Sequence, residues 1–177
     1  MTARPSSERR VPMYVLATSR GVELAAQLGL PVVVGGPLLG TDQLDQALKR
    51  YRRDFRPYEA SSPYVIVSLD IFIADDAESA RRLALPEAWA MARSRQTGEF
   101  PPLEAVPDIE ATPRSAQVER RVDDWLASAV TGSPATVRRR LERLIQSTGA
   151  DEVMSSASTY DREALFASDA ILPGLLA

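Results

Sequence analysis

The chain has 177 residues, 45% apolar and 25% charged, with a formal net charge of -3; these ordinary globular values exclude a long disordered or collagen-like chain. Basic and acidic residues are interspersed, so no face is built for nucleic acid and no run of like charge suits a membrane surface. There is no cysteine and no histidine, which excludes disulfides and thiolate sites and removes the commonest general base and metal ligand; no metal is expected.

Residues 1–11 are polar, carry Arg9 and Arg10, and read as a flexible N-terminal arm without an apolar stretch of signal-peptide length. No apolar run approaches the roughly 20 residues of a membrane helix, so a soluble cytoplasmic protein is expected. One domain is expected over 12–177. Met13–Ala17 (MYVLA) reads as a short buried strand. The turn Thr18-Ser19-Arg20-Gly21 follows, Ser19 being a good N-cap for a helix over Val22–Leu28 that Gly29 stops. Pro31–Gly35 is a second buried strand, β-branched and without alternation, as in a parallel sheet covered on both faces.

After the loop Gly35–Gly40, Thr41 or Asp42 caps a helix to about Phe55, with Leu44, Ala47, Leu48, Tyr51 and Phe55 as its buried stripe. Pro57 ends it. Tyr64–Ala74 (YVIVSLDIFIA) is the strongest strand of the chain, and Asp75-Asp76 caps a helix over about 77–95. Residues 97–131, with Gly98, Pro101, Pro102, Pro107 and Pro113, read as an irregular insertion with one short helix around Val118–Ala129. Ser133-Pro134 starts a helix to about Ser147, closed by Gly149. Asp151–Ser156 is a fourth strand, Asp161 to about Leu172 a final helix, and Pro173–Ala177 an apolar tail. Strand and helix alternate four times, which implies right-handed parallel βαβ units of an α/β fold. Alternation alone does not separate a barrel from an open sheet.

Three stretches bear on that choice. They are YVLATSRGVELAAQLGLPVVVGG (14–36); ALKRYRRDFRP (47–57) followed by PYVIVSLDIFIADDAESARRL (63–83); and VTGSPATVRRRLERLIQSTGADEVMSSASTYDREALFAS (130–168). In this order they resemble the luciferase-like flavin-dependent monooxygenases, over residues 12–172. The resemblance implies a partial (β/α)8 TIM barrel of about four βα units, matching strands five to eight of the family barrel. Nothing matches strands one to four, and a whole barrel of this type runs to about 250 residues; about half a barrel is expected here.

The resemblance implies reduced FMN, or a deazaflavin as in some relatives, and oxygenation of a small organic substrate with O2. It places the flavin phosphate against Thr18, Ser19, Arg20 and Gly21. Backbone amides and the positive helix end suit an anion there. The alternative is an ordinary N-cap, and the turn is one residue shorter than usual in the family. Gly35, Gly36 and Gly40 stand at the same strand end, either for close approach to a ligand or as a flexible loop. Tyr160-Asp161-Arg162 sits where relatives read Tyr-Asp-His; Asp161 also reads as an N-cap. Asp70 breaks an apolar run and faces a polar lumen or solvent, and Asp75 follows it. No residue is assigned a catalytic role.

The run Arg138-Arg139-Arg140 spreads around a helix and reads as a solvated surface rather than a nucleic-acid face. Trp89 and Trp125 read as packing residues, Trp125 lying where a lid could form. A half-barrel leaves two strand edges, Met13–Ala17 and Asp151–Ser156, without the Pro, Lys or inward charge that guards a solitary edge. The expected partners are therefore a second copy or an N-terminal-half protein, with a flavin reductase supplying reduced flavin. The alternative function is a non-catalytic half-barrel used in binding or assembly, or an inactive remnant.

Overall fold

The computed structural model describes residues 11–58 and 60–176. The expected arm, Val11 apart, lies outside the described residues. In chain order the elements are β1 (Val15–Leu16), α1 (Ser19–Leu28), β2 (Val32–Gly35), α2 (Asp42–Asp54), β3 (Val65–Leu69), β4 (Ile71–Ile73), α3 (Ala77–Thr97), α4 (Val106–Ala111), α5 (Ala116–Ser128), β5 (Val130–Gly132), α6 (Pro134–Thr148), β6 (Glu152–Ser155) and α7 (Arg162–Leu175).

The valine-rich strands pair in parallel in the order β1-β2-β3-β6, and β4 pairs in parallel with β5. Side chains alternate across a strand, so the register sorts them into two faces. Val32 and Val34 align with Val65 and Val67, and all four are fully buried. They join Leu44, Leu48 and Tyr51 of α2 and Val137 and Leu141 of α6 in one core. The opposite face carries Leu16, Val33, Ile66, Ser68 and Met154. Val33 and Ile66 are buried at its centre, while Leu16 is 81% and Met154 40% exposed on the edge strands. Helices cover one face and the sheet stops at β1 and β6, which is the shape of an arc of a barrel. A second core joins Phe72 to Leu83, Ala88 and Trp89 of α3, Ile109 of α4 and Val118, Val122 and Leu126 of α5.

Several expectations change. The strand over 64–74 divides at Asp70: β3 has β2 and β6 as neighbours, whereas β4 has β5. The insertion at 97–131 is regular through α4 and α5, because α4 buries Ile109 and α5 the stripe Val118, Val122 and Leu126 in one core with α3. Helix α5 agrees with the one expected near Val118–Ala129, but strand β5 after it was not anticipated; three residues ending in glycine carry no strand signal. Helix α7 runs through Pro173 to Leu175, where an apolar tail was expected. Leu172 and Leu175 pack on the first core, which holds the last turn despite the missing amide.

Tyr51 shows how the first core satisfies its polar atoms. Its ring is fully buried and its hydroxyl donates to the Leu30 carbonyl at 2.9 Å while accepting from the Tyr64 amide at 3.1 Å. Burial, above all, pushes its pKa up, so it stays protonated and able to donate. Tyr51→Phe keeps the ring and strands both backbone groups, and a loss of about 1–3 kcal/mol is expected in urea unfolding. An unchanged midpoint would mean that water replaces the hydroxyl.

Candidate functional site at the carboxyl ends of the strands

In parallel α/β architectures the loops after the strands converge at one end, where ligands bind. The turn at 18–21 lies at that end of β1. It differs from expectation in detail: the helix starts at Ser19, with Thr18 in the N-cap position and no side-chain capping bond. The first helical bond joins the Val22 amide to the Thr18 carbonyl at 3.1 Å, so the helix itself leaves the amides of 19–21 unused. Thr18 and Arg20 are exposed, and the Ser19 side chain lies outside the described residues. At Gly21 an added Cβ would stand 2.9 Å from the Ala17 Cβ. The close approach that this glycine permits is therefore at least that of α1 to its own strand.

Gly35 likewise faces protein, since a Cβ there would lie 2.5 Å from the Ser68 carbonyl oxygen. Gly36 and Gly40 have φ of +65° and +75° with open space around them. Gly36 begins a 3-10 turn (Gly36–Leu38) that borders a cavity of about 650 Å³. The floor of that cavity is Leu69 and Asp70, and its walls are Met91 and Arg95 of α3 and Arg121 and Trp125 of α5. Trp125 thus lines a cavity while touching Phe72 edge-on at 6.2 Å between centroids. Trp89 is buried, with Arg93 and Arg114 over its ring.

Asp70 lies on the same face as Ser68 and Met154, and its Oδ1 accepts from the Ser156 hydroxyl at 2.9 Å. Beside it stands a group that the sequence reading missed. Glu87 Oε2 accepts from the Ser158 amide at 2.7 Å. Burial, and then the charge of Asp70, push its carboxyl from 4.5 to about 7 against the pull of that amide. The signal was present: Glu87 is the single charged residue in LALPEAWAMA, residues 83–92. The Thr159 hydroxyl donates to the Leu83 carbonyl at 2.6 Å, so three side-chain bonds tie the loop at 156–159 to Asp70, between β3 and β4, and to α3.

A second cavity of about 540 Å³ brings Asp75 together with Tyr160 and Asp161. Asp161 also caps α7, accepting from the Ala164 amide at 3.0 Å, and Arg162 lies over the Phe166 ring. The structure thus gathers Gly36 with Asp70, and Asp75 with Tyr160–Asp161, while the turn at 18–21 borders neither cavity. Arg138 pairs with Glu142 at 2.8 Å and Arg139 is exposed, as on a solvated helix surface, whereas Arg140 is half-buried. Among the described residues no acidic side chains gather as a metal-binding set, and no helix is long and apolar enough to cross a membrane.

Residues 1–152 match the family model of the luciferase-like monooxygenases. A luciferase-like monooxygenase of Escherichia coli strain K12 is 31% identical over 164 residues, which are 90% of this chain and 48% of that protein. Among solved structures, apo-MsnO8 superposes with a TM-score of 0.76 at 24% identity, over 99% of this chain and 54% of that one. The oxygenating constituent of 3,6-diketocamphane monooxygenase from Pseudomonas putida, a type II Baeyer-Villiger monooxygenase solved with FMN, superposes with a TM-score of 0.59 at 22% identity, over 90% and 45%. The chain spans about half the length of the curated relatives it matches. These likenesses bear out the α/β partial barrel.

Proposed function

The chain belongs to the luciferase-like monooxygenase family, and from that premise we propose that it is the C-terminal part, strands five to eight, of an FMN-dependent monooxygenase that works with a complementing half. The observation that carries this reading is the family match across residues 1–152. Its support in the fold is the sheet that ends at β1 and β6 with Leu16 and Met154 exposed. The complement is a second copy or a protein holding the first four strands. The reading sets the pair in the cytoplasm beside a reductase that supplies reduced flavin.

Reduced flavin supplies the electrons with which O2 is split between substrate and water. This chain's own part is to hold and orient. The amides of residues 19–21, which the helix itself leaves unused, and the Arg20 guanidinium suit a phosphate at the α1 N-terminus. The wall from β1 to β6 keeps water from one side of the reacting atoms.

Two measurements test the reading. Sedimentation of the pure chain at micromolar concentration is expected to give a species above 19.3 kDa, or one that forms when the N-terminal-half protein is added. That complex should bind reduced FMN at least tenfold more tightly than reduced riboflavin, which lacks the phosphate, and Arg20→Ala should narrow the gap. A deazaflavin bound in preference to FMN would change the cofactor and keep the architecture. A monodisperse monomer that binds no flavin, alone or with the other half, would instead establish the non-catalytic half-barrel.

A further inference from the structure

Helix α3 carries four arginines, and they divide into two groups. Arg81, Arg82 and Arg93 pair with Asp123, Glu110 and Glu104. Arg95 makes no such pair among the described residues, and it borders the cavity of about 650 Å³. Across that cavity stands Arg121 of α5. Its side chain is half-buried and pairs with no carboxylate among the described residues. Two carboxylates also border the cavity, and their states differ. Asp70 already holds the Ser156 hydroxyl, whereas Asp124 is exposed and screened by water. Leu39, Met91 and Trp125 make the remaining wall largely apolar.

A half-buried guanidinium that pairs with no carboxylate among the described residues is unfavourable until an anion reaches it, and a guanidinium is a strong donor to a carboxylate. We propose that this cavity is a binding site for a small organic monoanion: a carboxylate held by Arg121 with Arg95 facing it, and a short apolar tail lying against Met91, Leu39 and Trp125. The site is separate from the turn at 18–21, and every lining residue belongs to this chain, so its occupancy does not depend on the flavin reading.

The full-length chain is titrated with hexanoate, hexanol and acetate while tryptophan fluorescence reports on Trp125. Hexanoate is expected to give a saturable change, at least tenfold weaker in Arg121→Gln and several-fold weaker in Arg95→Gln, with circular dichroism confirming that both variants are folded. Hexanol should bind at least tenfold less tightly than hexanoate, which isolates the charge, and so should acetate, which isolates the tail. Should Arg121→Gln prove unfolded, Arg95→Gln carries the test alone. Equal binding of hexanol and hexanoate, or unchanged hexanoate binding in the folded variants, overturns the proposal. So does acetate matching hexanoate.

Discussion

Gly29→Ala is expected to cost about 3 kcal/mol or more, a large share of the 5–15 kcal/mol that holds an ordinary domain together. Two penalties add at this position. Gly29 closes α1 at φ +64°, a conformation that costs an L-residue about 1–2 kcal/mol. The second is steric: a Cβ would stand 2.2 Å from the Arg56 carbonyl oxygen and 2.7 Å from the Tyr58 nitrogen. Those atoms cannot easily retreat. The Arg56 amide donates to the Ala26 carbonyl at 2.9 Å and the Ala60 amide to the Gly29 carbonyl at 3.3 Å, so moving the segment breaks the bonds that join α1 to the entry of β3. Gly98 provides the control. It closes α3 at φ +77° with nothing within 4 Å of an added Cβ, so Gly98→Ala should cost only the conformational part, about 1 kcal/mol. Urea unfolding of both variants separates the two contributions, and equal losses would show that the overlap at Gly29 relaxes freely.

Gly29 also marks what a sequence shows best. A glycine after an apolar helical stripe is a local signal, and Gly29 and Gly149 both close helices with positive φ. The stripe Leu44, Ala47, Leu48 and Tyr51 was legible for the same reason, and the capping of α2 by Thr41 is local too. Valine runs without alternation announced buried parallel strands. Features set by distant neighbours were not legible. The division of one apolar run at Asp70 follows from which strands stand beside each half, and β5 exists because β4 offers it an edge. The same distinction governs the site. The turn at 18–21 is contiguous and could be read, whereas the cavity that joins Gly36, Asp70, Arg95 and Arg121 is assembled from four separate segments. No local pattern could have brought Arg95 and Arg121 together.

Glu87 is where that lost information should appear in a measurement. Its carboxyl is pushed from 4.5 to about 7, by burial first and by the charge of Asp70 second, with the Ser158 amide opposing. Between those two values the folded chain keeps a proton that the unfolded chain has released. Unfolding free energy therefore falls as pH rises through this window, and the contribution is flat below and above it. At about 1.4 kcal/mol per pH unit, the interval between 4.5 and about 7 sets a ceiling near 3.5 kcal/mol; partial exposure brings the expected loss to about 1–3 kcal/mol. Glu87→Gln removes the charge and retains an oxygen for the Ser158 amide, which lies 2.7 Å from the native carboxylate. The variant should match the native chain near pH 5, exceed it by about 1–3 kcal/mol at pH 8, and lack the decline between. Asp76, held below the usual carboxylate range by the Ser79 amide, titrates beneath this window and does not mask the effect. Urea midpoints at the two pH values decide the matter, and parallel curves for the two proteins would rule out a buried, near-neutral Glu87. The loop at 156–159 sharpens the test. Protonation weakens the carboxyl as an acceptor for the Ser158 amide, so the protection of that amide relative to its intrinsic exchange rate should be lower below pH 7 than above it. In Glu87→Gln its protection should follow only the ordinary pH dependence of amide exchange.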